Sequence, residues 1–159
     1  MVIKSLVISH ESPVVSLGSG VIADTIAHAR EAAPRECCGL LLGHDQVVAE
    51  AYRTKNISAD PSRFVVEPED HIRGRREARG RALDVVGFYH SHPRTPAVPS
   101  ETDRAEAAYP DHLHLIVGLA AEPPDIRLFW FDGARFAERS FVSVDAGVGH
   151  GPPHVGRGR

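Results

Sequence analysis

The sequence of 159 residues holds only two cysteines, and they are neighbours, Cys37 and Cys38. Adjacent cysteines rarely reach disulfide geometry, so a disulfide-stapled secreted scaffold is excluded and both thiols are expected in the core. A basic excess is also lacking, since 18 Lys plus Arg stand against 21 Asp plus Glu, for a net charge of -3. That balance gives no electrostatic footprint for phosphate backbones, and no nucleic-acid partner is expected. Apolar runs are only a few residues long, well short of the ~20 that a bilayer span needs, so no membrane partner is expected either. The opening MVIKSLVISHESP lacks an apolar core of signal-peptide length followed by a small-residue cleavage pattern, which makes the cytoplasm the expected location. Also missing is the Pro-Cys-x-x-Cys signature of the zinc deaminases.

What is present is an ordinary 42% of apolar residues with 25% charged, and ten histidines. At ~100–200 residues per domain the chain is one globular domain. Its boundaries are expected at 1–145, with a flexible Gly/Pro/His-rich tail over 146–159. The surplus of histidine points towards metal or acid-base chemistry.

Alternation predicts a first strand over Ile3 to Ile8. Helical spacing of Val21, Ile22, Ile26, Ala27 and Ala32 predicts a helix ended by Pro34. Cys37 to Leu42 and Gln46 to Tyr52 read as a hairpin turning at His44-Asp45. A short strand at Phe64 to Val66 is followed by a helix from Pro68 to about Leu83, with Pro at a first-turn position where its missing donor is harmless. Asp84 to Tyr89 is a strand that runs into His90, and a short helix starts near Ser100. Leu113 to Leu119, Ile126 to Phe131 and Arg135 to Val144 read as the last strands. The fold class is therefore α/β or α+β, a single domain built on one mixed sheet.

The informative stretch is Gly87-Phe88-Tyr89-His90-Ser91-His92-Pro93, followed by Ser100-Glu101-Thr102-Asp103. On extended backbone residues i and i+2 share a face, so His90 and His92 project both imidazoles from one side of a strand end. If Ser100 caps a helix, Asp103 lies one turn in and can face the same point. Two His and one Asp make three protein ligands, the number a catalytic zinc keeps while leaving a fourth position open. Taken alone, Ser100 with Asp103 is a common helix-capping pattern. A proton acceptor is also needed, and Glu36, just before the apolar run to Gly43, is the candidate. Read without other information, Glu36 is better explained as a solvated acid at an element boundary.

With these residues in view the sequence resembles the JAMM (MPN+) metalloprotease family. The shared signature is a glutamate before a Gly-containing apolar strand, then His-x-His-Pro, seven residues, and Ser-x-x-Asp. Glu36, His90, His92, Ser100 and Asp103 supply all of it, with seven residues from Pro93 to Pro99. The likeness extends through Asn56 and Phe64 and covers roughly Val14 to Val144. It implies a curved mixed sheet flanked by helices, of cytidine-deaminase-like JAMM/MPN type. It also implies zinc held by His90, His92 and Asp103, Glu36 as general acid/base, and Ser100 as a hydrogen-bond donor to the water or the oxyanion. The implied activity is metallopeptidase cleavage of a peptide or isopeptide bond after the Gly-Gly terminus of a ubiquitin-like or sulfur-carrier β-grasp protein. The implied type is the compact prokaryotic one, because the late hairpin holds only Ala120 to Asp125.

A non-catalytic MPN scaffold or binding module is the alternative reading, and a homodimer is carried as a candidate assembly. A RadC-like role is disfavoured, because Arg94-Thr95 stands where Ser-Gly is usual. The arginines at 73, 75, 76, 79 and 81 read as a solvated helix face, and His112 and His114 as packed side chains rather than a second metal pair.

Overall fold

The computed structural model describes residues 12–144 and 155–156. In chain order these form β1 (Val15–Leu17), α1 (Val21–Ala32), β2 (Cys38–His44), β3 (Val47–Thr54), α2 (Pro68–Gly80) and β4 (Asp84–His92). There follow α3 (Glu101–Glu106), β5 (His112–Gly118), β6 (Asp125–Phe131), β7 (Phe136–Arg139), β8 (Phe141–Ser143) and β9 (Val155–Gly156). All nine strands join one sheet in the order β7-β6-β5-β4-β2-β3-β1-β8-β9. Pairing is mixed, with β4–β5, β1–β3 and β1–β8 parallel and the other neighbours antiparallel. β7 and β8 stand towards opposite ends of that order, yet only Ser140 separates them. A single residue spans too little to cross an open sheet, so the sheet curls until its ends approach, as the family resemblance implies.

Alternation along β4 and β5 sends side chains to two different cores. Leu41, Tyr89, Leu113, Leu115, Val117 and Leu128 are buried on the face covered by α1, which contributes Val21 and Ala29. On the other face Leu40 and Phe88 pack with Ala78 of α2, and Ile116 and Phe129 pack with Ala97. Each fully buried Leu or Phe contributes roughly 1.5–3 kcal/mol. His90 and His92 share this second face. Two glycines allow the close approach that this packing needs. A Cβ at Gly39 would sit 2.2 Å from the Tyr89 ring, and one at Gly74 would sit 2.5 Å from Leu40 Cδ1.

The helix expected to end at Pro34, the hairpin and the strand into His90 are all present, with the hairpin turn one residue later, at Asp45-Gln46. Elsewhere the structure corrects the expectation. Phe64 to Val66 is not a strand, and only Val66 bridges to Asn56. The Asn56 side chain is the reason, because its Oδ1 accepts the Val65 and Ser58 N–H groups and so takes a donor that a ladder would use. α2 stops at Gly80, since Ala82 adopts a left-handed φ of 55° that no helix continues. The strand expected over 135–144 breaks at Ser140 into β7 and β8, while β1 was not foreseen. The strand expected over 3–8 lies outside the described residues, as does the tail from 146 apart from Val155–Gly156, which pairs with β8.

Candidate metal centre

The centre starts from β4. His90 and His92 are almost fully buried, at 2% and 3% exposure, where the strand passes from the sheet into Pro93. Between them Ser91 points to the opposite side, and its Oγ accepts the Cys37 N–H at 2.8 Å while its own N–H donates to the Cys37 carbonyl. These bonds lock the entry of β2 to the histidine segment. Cys38 is paired with His90, so two residues further along the antiparallel register Glu36 comes opposite His92.

Asp103 arrives from α3. Ser100 is its N-cap, with Oγ accepting the Asp103 N–H at 3.0 Å and the Ser100 N–H donating to Asp103 Oδ2 at 2.9 Å. This reciprocal capping box fixes the carboxylate before any ligand is considered. Asp103 Oδ2 lies 3.1 Å from His90 Nε2 and 3.1 Å from His92 Nε2, and the two Nε2 atoms lie 3.1 Å apart. The three sequence-predicted ligands thus converge into one triangle. Among the described residues they form the one group of His, Cys, Asp or Glu able to hold a metal ion.

The triangle fits a small dication. Ligand distances of ~2.0–2.1 Å around a tetrahedral zinc give edges of about 3.3 Å, close to the separations seen. Orientation fits as well, because His92 Nδ1 donates to the Pro96 carbonyl at 2.8 Å and leaves the Nε2 lone pair turned to the triangle. His90 is held instead by the Phe64 ring, stacked at 4.4 Å and 24°, while its buried Nδ1 has no partner.

Electrostatics set the protonation. Burial opposes the Asp103 charge, but the two imidazoles beside it outweigh that effect and hold the carboxyl well below the usual carboxylate range. Burial pushes His90 down. His92 also feels burial, yet Asp103 and the Pro96 carbonyl favour its charged form and shift it upwards.

Glu36 is 7% exposed, and its Oε2 has no hydrogen-bond partner. Burial raises its pKa to about 8, His92 opposing and Asp103 adding to the rise. Its backbone is held on both sides, by N–H donation to Pro61 and by acceptance from Asn56 Nδ2 at 3.0 Å. All five sequence-predicted site residues therefore sit on one face, four of them with limited exposure and Ser100 exposed as a cap.

Sequence reasoning did not find the Pro96 carbonyl or the Ser91 lock, since backbone acceptors and back-facing hydroxyls leave no spacing signal. It also missed an apolar cavity beside His90. His112 and His114 do not join the centre. His112 donates to the Pro110 carbonyl, and His114 packs against Phe88, Phe131 and Phe136. Burial pushes His114 down to about 3, which keeps it neutral.

Comparison with known proteins gives one consistent picture. Residues 19–132 match the family described as prokaryotic homologs of the JAB domain. A desampylase of Haloferax volcanii is 36% identical over 109 residues, spanning 64% of this chain and 78% of the relative. A CysO-cysteine peptidase of Mycobacterium tuberculosis is 28% identical over 145 residues, spanning 89% and 91%. A protein of Desulfitobacterium hafniense, solved in solution, superposes with a TM-score of 0.76 at 30% identity, covering 82% of this chain and 93% of that one.

Proposed function

The chain belongs to the family of prokaryotic homologs of the JAB domain, and from that premise we propose that it is a zinc peptidase. Its substrate would be a ubiquitin-like or sulfur-carrier β-grasp protein, cut after the Gly-Gly terminus at a peptide or isopeptide bond. The observation that carries this reading is the 3.1 Å triangle of His90, His92 and Asp103 together with buried Glu36, whose Oε2 has no hydrogen-bond partner. The similarity to proteins named a desampylase and a CysO-cysteine peptidase supports the peptidase class. A scaffold without turnover has no use for a buried, unpartnered acid at an open three-ligand site.

His90, His92 and Asp103 would hold the metal and leave one position for water or substrate. When bound, zinc supplies Lewis acidity, polarising a carbonyl and lowering the pKa of water towards about 7. Glu36 takes the proton of the attacking water as its oxygen bonds to the carbonyl carbon. The same carboxyl then hands that proton to the amine nitrogen as the C–N bond breaks. In the metal-free chain burial favours its protonated form, and a nearby dication would oppose that rise, leaving a carboxyl able both to accept and to return a proton. Ser100 Oγ uses a lone pair for the cap, and its own O–H is the donor available where negative charge develops on the carbonyl oxygen.

The test is direct. The full chain, loaded with zinc, is incubated with a β-grasp sulfur-carrier protein bearing residues beyond Gly-Gly, and the products are weighed by mass spectrometry. Release of a protein ending in Gly-Gly is expected, and both a chelator and His92→Ala should abolish it. An uncut substrate in the presence of stoichiometric zinc would overturn the reading.

A further inference from the structure

Beside the metal triangle lies a cavity of about 420 Å³, within the range of small-ligand clefts. His90 and Asp103 form part of its wall, and Phe64, Val66, Phe88, Tyr109 and Phe136 form much of the rest. The charged side chains in the wall are Asp103, already engaged by both histidines, and Arg63 and Glu106, which are paired with each other. His114, 8% exposed, adds a second buried imidazole, and its Nε2 has no partner. A charged occupant would lose its hydration without gaining a free counter-charge, whereas an apolar one would displace water from aromatic walls.

We propose that this cavity is the subsite for the side chain of the residue whose amine leaves, and that it selects a large apolar, preferably aromatic, side chain there. The inference rests on the proposed cleavage after Gly-Gly and extends it to the other side of the bond. Two glycines carry no side chain, so the acyl side cannot fill a cavity that begins at the reacting centre. The third residue back lies about 7 Å away along an extended chain. The amine side begins at the scissile nitrogen, in contact with the wall that His90 and Asp103 provide. Tyr109, 44% exposed, and Ala107 also line this cavity.

Two measurements test this. First, zinc-loaded full chain is given a β-grasp protein extended by Gly-Gly-X, with X as Phe, Leu, Ala or Asp. The expected kcat/KM for Phe exceeds that for Ala and for Asp at least tenfold. Ala107→Phe, which adds a ring at the cavity wall, should erase this preference. Second, metal-free chain is titrated with Phe-Ala amide and with Ala-Ala amide while the ring signals of Phe136 and His114 are followed by NMR. Phe-Ala amide should shift both rings, with binding at least tenfold tighter than Ala-Ala amide.

Cleavage of every substrate at one rate, or a Phe preference that survives in Ala107→Phe, would overturn the cavity assignment and leave the peptidase reading standing. Selective binding of Phe-Ala amide without any cleavage would support the subsite and remove the Gly-Gly reading instead. Equal binding of both amides, or shifts confined to residues away from the cavity, would also overturn the assignment.

Discussion

Glu36 is the residue at which chemistry and folding pull in opposite directions. An acid raised by burial to about 8 binds its proton more tightly in the folded chain than in the unfolded one, where it titrates near 4.5. The folded state therefore holds the extra proton between these values, and stability must fall as pH rises through that window. Urea unfolding of metal-free protein should show a loss on the order of 1–3 kcal/mol between pH 5 and pH 8, after allowing for solvent near the carboxylate. Glu36→Gln should flatten that slope, and an unchanged slope would show that Glu36 is not the titrating group. The same variant should bind zinc as the parent chain does, measured by metal analysis, while turnover drops about 10²–10⁴-fold. In the sequence this residue was legible only through the motif, because its backbone is held by Pro61 and Asn56, which are remote from it along the chain.

At the scale of the element, α3 and β2 each do two jobs. Ser100→Ala removes the acceptor for the Asp103 N–H and should cost about 1 kcal/mol in stability. If the hydroxyl also donates to the oxyanion, turnover falls by ~10²–10³, far more than the cap alone explains. Ser100→Thr should restore both. Restored stability without restored activity in Ser100→Thr would require a different donor. In β2, Gly39→Ala drives a Cβ into the Tyr89 ring at 2.2 Å and the Tyr52 carbonyl at 2.5 Å. Overpacking of this kind costs typically 1–3 kcal/mol, here towards the upper end because one partner is backbone, and the denaturation midpoint reads it.

Elements with a strong local period were legible in advance. β4 is a near-continuous apolar run stopped by Pro93, and α1 keeps its helical spacing to Ala32. β1 was not, since three residues pairing in parallel with β3 and β8 carry no local signal of partners that lie far along the chain.

For the whole molecule, a metal held at this site would be linked to the fold. A negative carboxylate and two imidazoles at 3.1 Å are arranged in the native chain and scattered in the unfolded one, so an ion binds the native state preferentially. At a free ion concentration 1,000 times the Kd this contributes ~4.1 kcal/mol. For a chain of this size, that corresponds to a rise of roughly 8–16 °C in Tm. Chelation should reverse the shift as followed by calorimetry, and a Tm insensitive to metal would argue against a site in this triangle. The curl of the sheet was foreseen only from the family likeness, because it comes from the passage through Ser140 from one edge to the other, and no local pattern in residues 135–144 marks that change of partner. The cavity beside His90 was illegible for a related reason, as its walls come from the loop around Phe64, from β4, from the residues after α3, and from β5 and β7.

The oxygen Asp103 Oδ2 serves the capping box and the metal triangle at once. A helix of six residues is too short to hold itself together, so α3 depends on its ends. An ion that fixes this oxygen would brace the first turn, and its departure would let that turn open. Amide hydrogen exchange at Arg104 and Ala107, whose N–H groups bond to the Ser100 and Asp103 carbonyls, should therefore slow on loading and quicken on chelation. α3 would then work as a built-in clock for how long the centre stays occupied.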